Sequence, residues 1–230
     1  MKLAGLARTT LLDFPGKLAC VVFTAGCPFN CFYCHNRIAL NGDAVGPNEA
    51  RVLDFISKRV GLLEGVVVSG GEPTIQSDLV PFLKRIKAFG YAVKLDTCGC
   101  RPQKVKELLD LRLVDYLALD VKAPWRRYRE ICGPNADADA VQATLDILVA
   151  SEIGWECRTT VAPTLGAIDM LEIAMQMPTV PAWRLNVYRI PEVYLPEDEV
   201  RVHAYAPSEQ DIKSWLPRLR EKQPHVIGSW

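Results

Sequence analysis

Six short apolar runs rich in branched residues, each followed by a longer stretch of helical period, constrain this chain more than any other feature. The runs at 19–25, 65–69, 92–96, 114–121, 155–161 and 183–190 predict strands. Helices are predicted near 47–60, 78–89, 103–111, 137–151, 167–176 and 208–222. Within 78–89, Leu79, Phe82, Leu83 and Ile86 recur at helical spacing, Lys84, Arg85 and Lys87 lie opposite, and Gly90 stops the helix. Strands that alternate with helices form a parallel sheet, because each crossover returns the chain to the same edge. Runs such as Val66, Val67 and Val68 suit strands buried on both faces. Six such units are too few to close an eight-stranded barrel. The expected fold is therefore α/β, a single-domain partial (βα)6 TIM-like barrel over residues 1–230, with a doubly wound sheet as the alternative. Either one places ligands beyond the C-terminal ends of the strands.

The chain of 230 residues shows no repeat, low-complexity segment or dividing linker, and the Pro-rich stretch 190–207 reads as an ordered loop. Lys plus Arg and Asp plus Glu number 27 each, so no net charge draws the chain to nucleic acid or an anionic membrane. No apolar run reaches the roughly 20 residues of a membrane span. The N-terminus starts like a signal peptide, but lacks a long apolar region and runs into a turn at Asp13-Phe14-Pro15-Gly16-Lys17. A cytoplasmic location follows, and there eight cysteines remain reduced, so a cluster of them reads as metal-binding or catalytic.

Such a cluster exists. The first predicted strand runs into Gly26-Cys27-Pro28-Phe29-Asn30-Cys31-Phe32-Tyr33-Cys34-His35-Asn36, where Pro28 and Asn30 oppose a helix. A loop can wrap three thiolates around one inorganic centre. Electron-transfer [4Fe–4S] clusters take four cysteines, so a three-cysteine set leaves one iron open for binding and chemistry. The alternative is a structural zinc with His35 or a remote cysteine as fourth ligand. Direct adjacency of His35 to Cys34, and the position at the mouth of a first parallel strand, argue against zinc.

The second strand ends in Ser69-Gly70-Gly71-Glu72-Pro73-Thr74, whose paired glycines allow backbone to approach a ligand closely. No Lys-Ser/Thr follows, so this is not a phosphate-binding P-loop; a tight strand-to-helix turn is the plainer reading. Strand three ends in Asp96-Thr97 and strand four in Asp120-Val121-Lys122. Two carboxylates at neighbouring strand ends repel unless cations or donors compensate, or they serve as loop or cap residues. Cys98, Cys100, Cys132 and Cys157 lack the compact spacing of a second cluster and read as buried structural thiols, although Cys98 and Cys100 leave a redox role open. His203 has no local motif and reads as a satisfied histidine.

The C-x3-C-x2-C spacing after a first strand, with Tyr33 before the last cysteine and Gly-Gly-Glu one unit later, resembles the radical S-adenosylmethionine (SAM) superfamily. That resemblance implies a [4Fe–4S] cluster on Cys27, Cys31 and Cys34, with SAM chelating the open iron through its amino and carboxylate groups. It places Tyr33 beside the adenine and gives Gly70, Gly71, Glu72 and Pro73 to the motif that binds the SAM amino group. Within the superfamily, three features resemble activases of glycyl-radical enzymes: Cys34-His35-Asn36 resembles pyruvate formate-lyase activating enzymes, and the leader Thr9 to Lys17 and the stretch 65–133 resemble the activating proteins of anaerobic ribonucleoside-triphosphate reductase. In those activases, residues matching Asp96, Thr97 and Asp120 lie near the SAM carboxylate, often with a monovalent cation, and Lys122 would contact SAM. This family more commonly has Asn at the Cys98 position. The resemblance covers residues 9–133. It implies a protein substrate and a low-potential electron donor such as flavodoxin or ferredoxin; the alternative is a radical SAM enzyme acting on a pyruvate formate-lyase-type partner, a small molecule, RNA or a peptide, which would share every motif. The reduced cluster would cleave SAM to methionine and a 5′-deoxyadenosyl radical, which takes the Cα hydrogen of a partner glycine. Such chemistry needs positioning rather than a side-chain base, and the sequence holds no Ser/His/Asp or paired-Glu constellation.

Overall fold

The computed structural model describes residues 1–40 and 46–229. Its centre is one sheet whose eight strands lie side by side in chain order. Strands β2 (Ala19–Thr24), β3 (Gly65–Gly70), β4 (Ala92–Thr97), β5 (Tyr116–Asp120), β6 (Gly154–Val161) and β7 (Trp183–Val187) are the six expected ones, and all are parallel. Strictly consecutive order excludes the doubly wound alternative, in which the order reverses at a switch point. The sheet curls as a barrel wall and stays open: among the described residues its two end strands, β1 and β8, are not neighbours.

Those two strands were not legible in the sequence. Strand β1 (Leu3–Thr10) pairs antiparallel with β2, and β8 (Val226–Ser229) extends the sheet beyond β7. Most of β1 is only half-buried, as an edge strand is, and β8 has four residues, so neither makes an apolar run. The stretch 190–207 is also more than a loop, since it contains a 3₁₀ turn at Pro196–Asp198 and the short helix α7 (Glu199–Val202). The predicted strands at 114–121 and 183–190 end earlier, at Asp120 and Val187.

The helices are α1 (Glu49–Ser57), α2 (Leu79–Ala88), α3 (Pro102–Asp110), α4 (Tyr128–Cys132), α5 (Ala138–Val149), α6 (Ala167–Gln176), α7 and α8 (Glu209–Arg220). Strand alternation separates two environments. Cys20, Val22, Val66, Val68, Leu95, Leu117 and Leu119 join the helices in one large core, while Ala19, Val21 and Val67 face the lumen and pack with Phe14. Phe14, from the β1–β2 connection, also meets Tyr116 with ring centroids 6.2 Å apart and closes that end of the lumen. Higher along the strands the lumen wall turns polar, with Lys94 and Asp96 on β4, Asp120 on β5, and Glu156 and Arg158 on β6. A polar interior placed above an apolar plug positions the site.

Candidate active site

The chain leaving β2 is held in a closed loop by its own backbone. Gly26 N–H donates to Ala39 O (2.6 Å), Cys27 N–H to Leu40 O (3.3 Å), and Cys34 N–H to Cys31 O (3.1 Å). Asn30 N–H donates to Cys132 O at the end of α4 (2.7 Å). The end of β3 presses against this loop. Gly70 adopts φ +113°, and a Cβ on Gly71 would lie 2.2 Å from the carbonyl oxygen of Gly26, so only glycine permits this approach. The Asn36 side chain donates to Gly70 O (2.9 Å), closing the contact from the other side.

A cavity of about 480 Å³ opens here, at the C-terminal ends of the strands. Cys27, Cys31, Tyr33 and Cys34 line one side, and Gly70, Gly71, Asp96, Thr97, Asp120 and Lys122 the other. The structure thus brings together ten of the twelve residues singled out in the sequence. Glu72 and Pro73 stand behind the wall. The Glu72 carboxylate is fully buried: Oε1 accepts from Thr74 N (3.0 Å), Thr74 Oγ1 (2.5 Å) and Thr97 Oγ1 (2.7 Å), and Oε2 from Cys98 N (2.7 Å). It locks the β3 and β4 ends to each other.

The thiols divide by environment. A hydrogen bond with Cys132 holds the Cys31 thiol down to about 7 against the cost of burial, with Lys122 and Arg37 assisting, which favours the thiolate a metal needs. Burial pushes Cys34 up to about 11, a proton that a bound metal would displace. Cys98 lies beside Cys27 and Cys100, and Cys157 is buried on the helix side of β6. All eight cysteines are free.

The donor set discriminates between metals. A tetrahedral zinc with Zn–S near 2.3 Å draws its sulfurs to within roughly 4 Å of one another. Among the described residues, the one set of three or more such ligand atoms lying within 4.8 Å of one another is Glu72, Cys98 and Cys100; Cys27, Cys31 and Cys34 spread wider, as a polynuclear cluster requires, and His35 is exposed. The compact trio carries no metal argument, because the Glu72 oxygens are spent on internal donors. For an organic ligand the telling residue is Tyr33, which lines the cavity and whose buried hydroxyl has no hydrogen-bond partner.

Strand β6 supplies a residue that motif reading missed. Arg158 spans the two carboxylates, with Nη1 3.2 Å from Asp96 and Nε 3.0 Å from Asp120. Lys94 adds a contact to Asp96 (2.6 Å) and Lys122 one to Asp120 (3.2 Å). Burial alone would raise Asp120, yet Arg158 and Lys122 outweigh it and hold its carboxyl below the ordinary range. Each carboxylate already has two cationic partners, so the pair does not require the monovalent cation that the resemblance suggested. Charged Glu156 and Arg158 alternate on the lumen face of a strand, and that alternation was the available signal. His203 is satisfied, as expected, by the Tyr194 hydroxyl at 3.0 Å.

Comparison with known proteins accounts for this arrangement. A protein of Methanocaldococcus jannaschii named for glycyl-radical enzyme activation is 28% identical over 228 residues, covering 95% of this chain and 91% of that one. The pyruvate formate-lyase-activating enzyme of Listeria monocytogenes is 34% identical over 122 residues, 48% of this chain and 49% of its own. Among solved structures, Streptococcus suis SuiB bound to S-adenosylmethionine superposes with a TM-score of 0.65 at 11% identity, over 89% of this chain and 48% of that one; it shares the fold. The pattern of the radical SAM superfamily matches residues 21–174, which is more than half of the chain. With that match spanning the cysteine loop, the glycine turn and the lumen carboxylates, the chain belongs to the radical SAM superfamily, whose enzymes use a [4Fe–4S] cluster and SAM.

Proposed function

We propose that this enzyme is an activase that generates a glycyl radical on a partner protein, with anaerobic ribonucleoside-triphosphate reductase as the partner. The end-to-end similarity to the Methanocaldococcus protein carries the reading, because it includes the C-terminal third where no motif is visible. The open sheet agrees with it, since a barrel that does not close leaves a side through which a loop of another protein could approach the cavity at the strand ends. The eight free thiols fit a reducing cytoplasm, where flavodoxin or ferredoxin would supply the electron.

Cys27, Cys31 and Cys34 would hold the cluster, and the preformed loop spares the cost of ordering them. With one electron supplied, the bound cluster and SAM would provide the radical chemistry that removes one hydrogen atom from a partner glycine, with methionine and 5′-deoxyadenosine as the other products. Lys94, Lys122 and Arg158 outnumber the carboxylates of Asp96 and Asp120 by one charge, which would favour a SAM carboxylate in the cavity. Gly70 and Gly71 bring backbone to the ligand, and Asp96, Thr97 and Asp120 complete the floor. Tyr33 lines the cavity and would lie beside the adenine of SAM. Tyr33→Ala is expected to weaken SAM binding about tenfold, the worth of one base stacked on an aromatic ring, measured by anaerobic equilibrium dialysis.

The direct test mixes reconstituted, reduced enzyme and SAM with candidate partners and follows electron paramagnetic resonance. A glycine-type doublet that grows with ribonucleotide reductase supports the assignment. A doublet only with a pyruvate formate-lyase-type enzyme moves the activity to that partner. SAM cleavage with no doublet on any glycyl-radical enzyme removes the activase reading.

A further inference from the structure

The cysteine loop is gripped by a segment of the C-terminal third, and the grip is ionic. Arg37, three residues after Cys34, is only 9% exposed. Its Nη2 donates to the carbonyl of Cys31 (2.8 Å), and its Nη1 donates to the Asn30 side chain. The same Nη2 lies 3.5 Å from Asp198, whose other oxygen is 3.7 Å from Arg201. Arg201 in turn places its guanidinium 4.1 Å from the centre of the Phe32 ring and donates to Glu130 O (2.7 Å). Asp198 therefore ties together two arginines that each hold a residue of the loop between Cys27 and Cys34. Arg37 Nε has no partner at all.

Burying a guanidinium costs several kcal/mol unless anions and acceptors answer it. Here one carboxylate at 3.5 Å, itself shared with Arg201, answers it incompletely. A cluster on three thiolates is an anion that gains a further negative charge when reduced, and a buried cation beside one of its ligands stabilises the reduced form more than the oxidised one. We infer that Arg37 and Asp198 form a charge clamp on the Cys31 segment that sets the cluster's reduction potential, Arg37 raising it and Asp198 restraining that effect. Both act on the cluster through their charge rather than by ligating it. The inference rests on Cys31 being a cluster ligand and is independent of which substrate the enzyme attacks.

The experiment is an anaerobic redox titration of the reconstituted holoenzyme without SAM, read by the electron paramagnetic resonance signal of the reduced cluster, with iron per chain measured alongside. Arg37→Gln is expected to make reduction about tenfold less favourable, a shift of roughly 59 mV to more negative potential for a one-electron couple. Asp198→Asn is expected to shift it in the positive direction, and Arg37→Lys, which keeps the charge, to stay near the parent value. A purely structural clamp cannot give opposite signs. If Arg37→Gln and Asp198→Asn leave the potential unchanged or move it the same way, the inference is overturned. Should Arg37→Gln fail to load iron, Asp198→Asn decides by the sign of its shift. A Cys31→Ala protein with a full cluster would overturn the ligand assignment instead, and the clamp with it.

Discussion

Alanine at any one of Cys27, Cys31 or Cys34 is expected to drop 5′-deoxyadenosine formation to background, while alanine at Cys98 or Cys132 costs no more than about 10- to 100-fold. The two groups are neighbours in space, so the contrast is demanding. Cys98 lies beside Cys27, and Cys132 hydrogen-bonds with Cys31. The difference lies in where each sulfur is held. Cys27, Cys31 and Cys34 line the cavity from a loop that leads straight out of β2, whereas Cys98, which also lines it, is buried just past the end of β4, and burial holds its thiol well above the ordinary range. Cys132 is fully buried beneath the loop, and burial holds its thiol well above the ordinary range. A thiol that stays protonated there can support a ligand but does not replace it, and lost supporting contacts around a metal typically cost about 10- to 100-fold. The measurement is product formation by reconstituted variants, with iron per chain determined on the same samples. Loss of activity in Cys98→Ala equal to that in Cys27→Ala would show that the ligand set is drawn wrongly.

The part of the site readable in the sequence was the part carried by local spacing. Cys27, Cys31 and Cys34 sit in eight consecutive residues, and Gly70-Gly71 follows a run of valines, so chain order alone places them at adjacent strand ends. The six-strand core was readable for a similar reason, since each strand was an apolar run long enough to stand out. Edge strand β1 was not, because an edge is half-exposed and its alternation carries little apolar contrast. Arg158 and Asp198 were invisible for another reason. Each acts across more than thirty residues of chain, on Asp120 and on Arg37 respectively, and no local pattern encodes a pairing at that separation. Glu72 is the instructive intermediate. Its position was legible from the Gly-Gly-Glu motif, but the direction of its carboxylate was a matter of tertiary hydrogen bonding.

That direction predicts a large effect from a change of one atom type. Glu72→Gln is expected to destabilise the fold by about 3–5 kcal/mol, the worth of roughly two buried hydrogen bonds to a charged group. Its two oxygens receive four donors, two of them backbone N–H groups that cannot turn away: Thr74 on Oε1 and Cys98 on Oε2. A glutamine offers one oxygen and one NH2. Whichever way the amide is placed, its NH2 meets a fixed N–H of Thr74 or Cys98, donor against donor, at a site with no exposure to water. The hydroxyls of Thr74 and Thr97 can rotate to relieve part of the conflict, so Glu72→Gln should be less damaging than Glu72→Ala, which orphans all four donors. At about 2–4 °C per kcal/mol for a chain of this size, the midpoint of thermal unfolding of the glutamine variant should fall by roughly 6–20 °C. Because Glu72 N–H also donates to Gly26 O (2.8 Å), one residue before Cys27, the damage should reach the cysteine loop and lower iron loading in parallel. A glutamine variant with unchanged thermal stability but impaired SAM binding would mean that the carboxylate turns outward to the ligand, and that the bonds to Thr74, Thr97 and Cys98 are not what the residue is for.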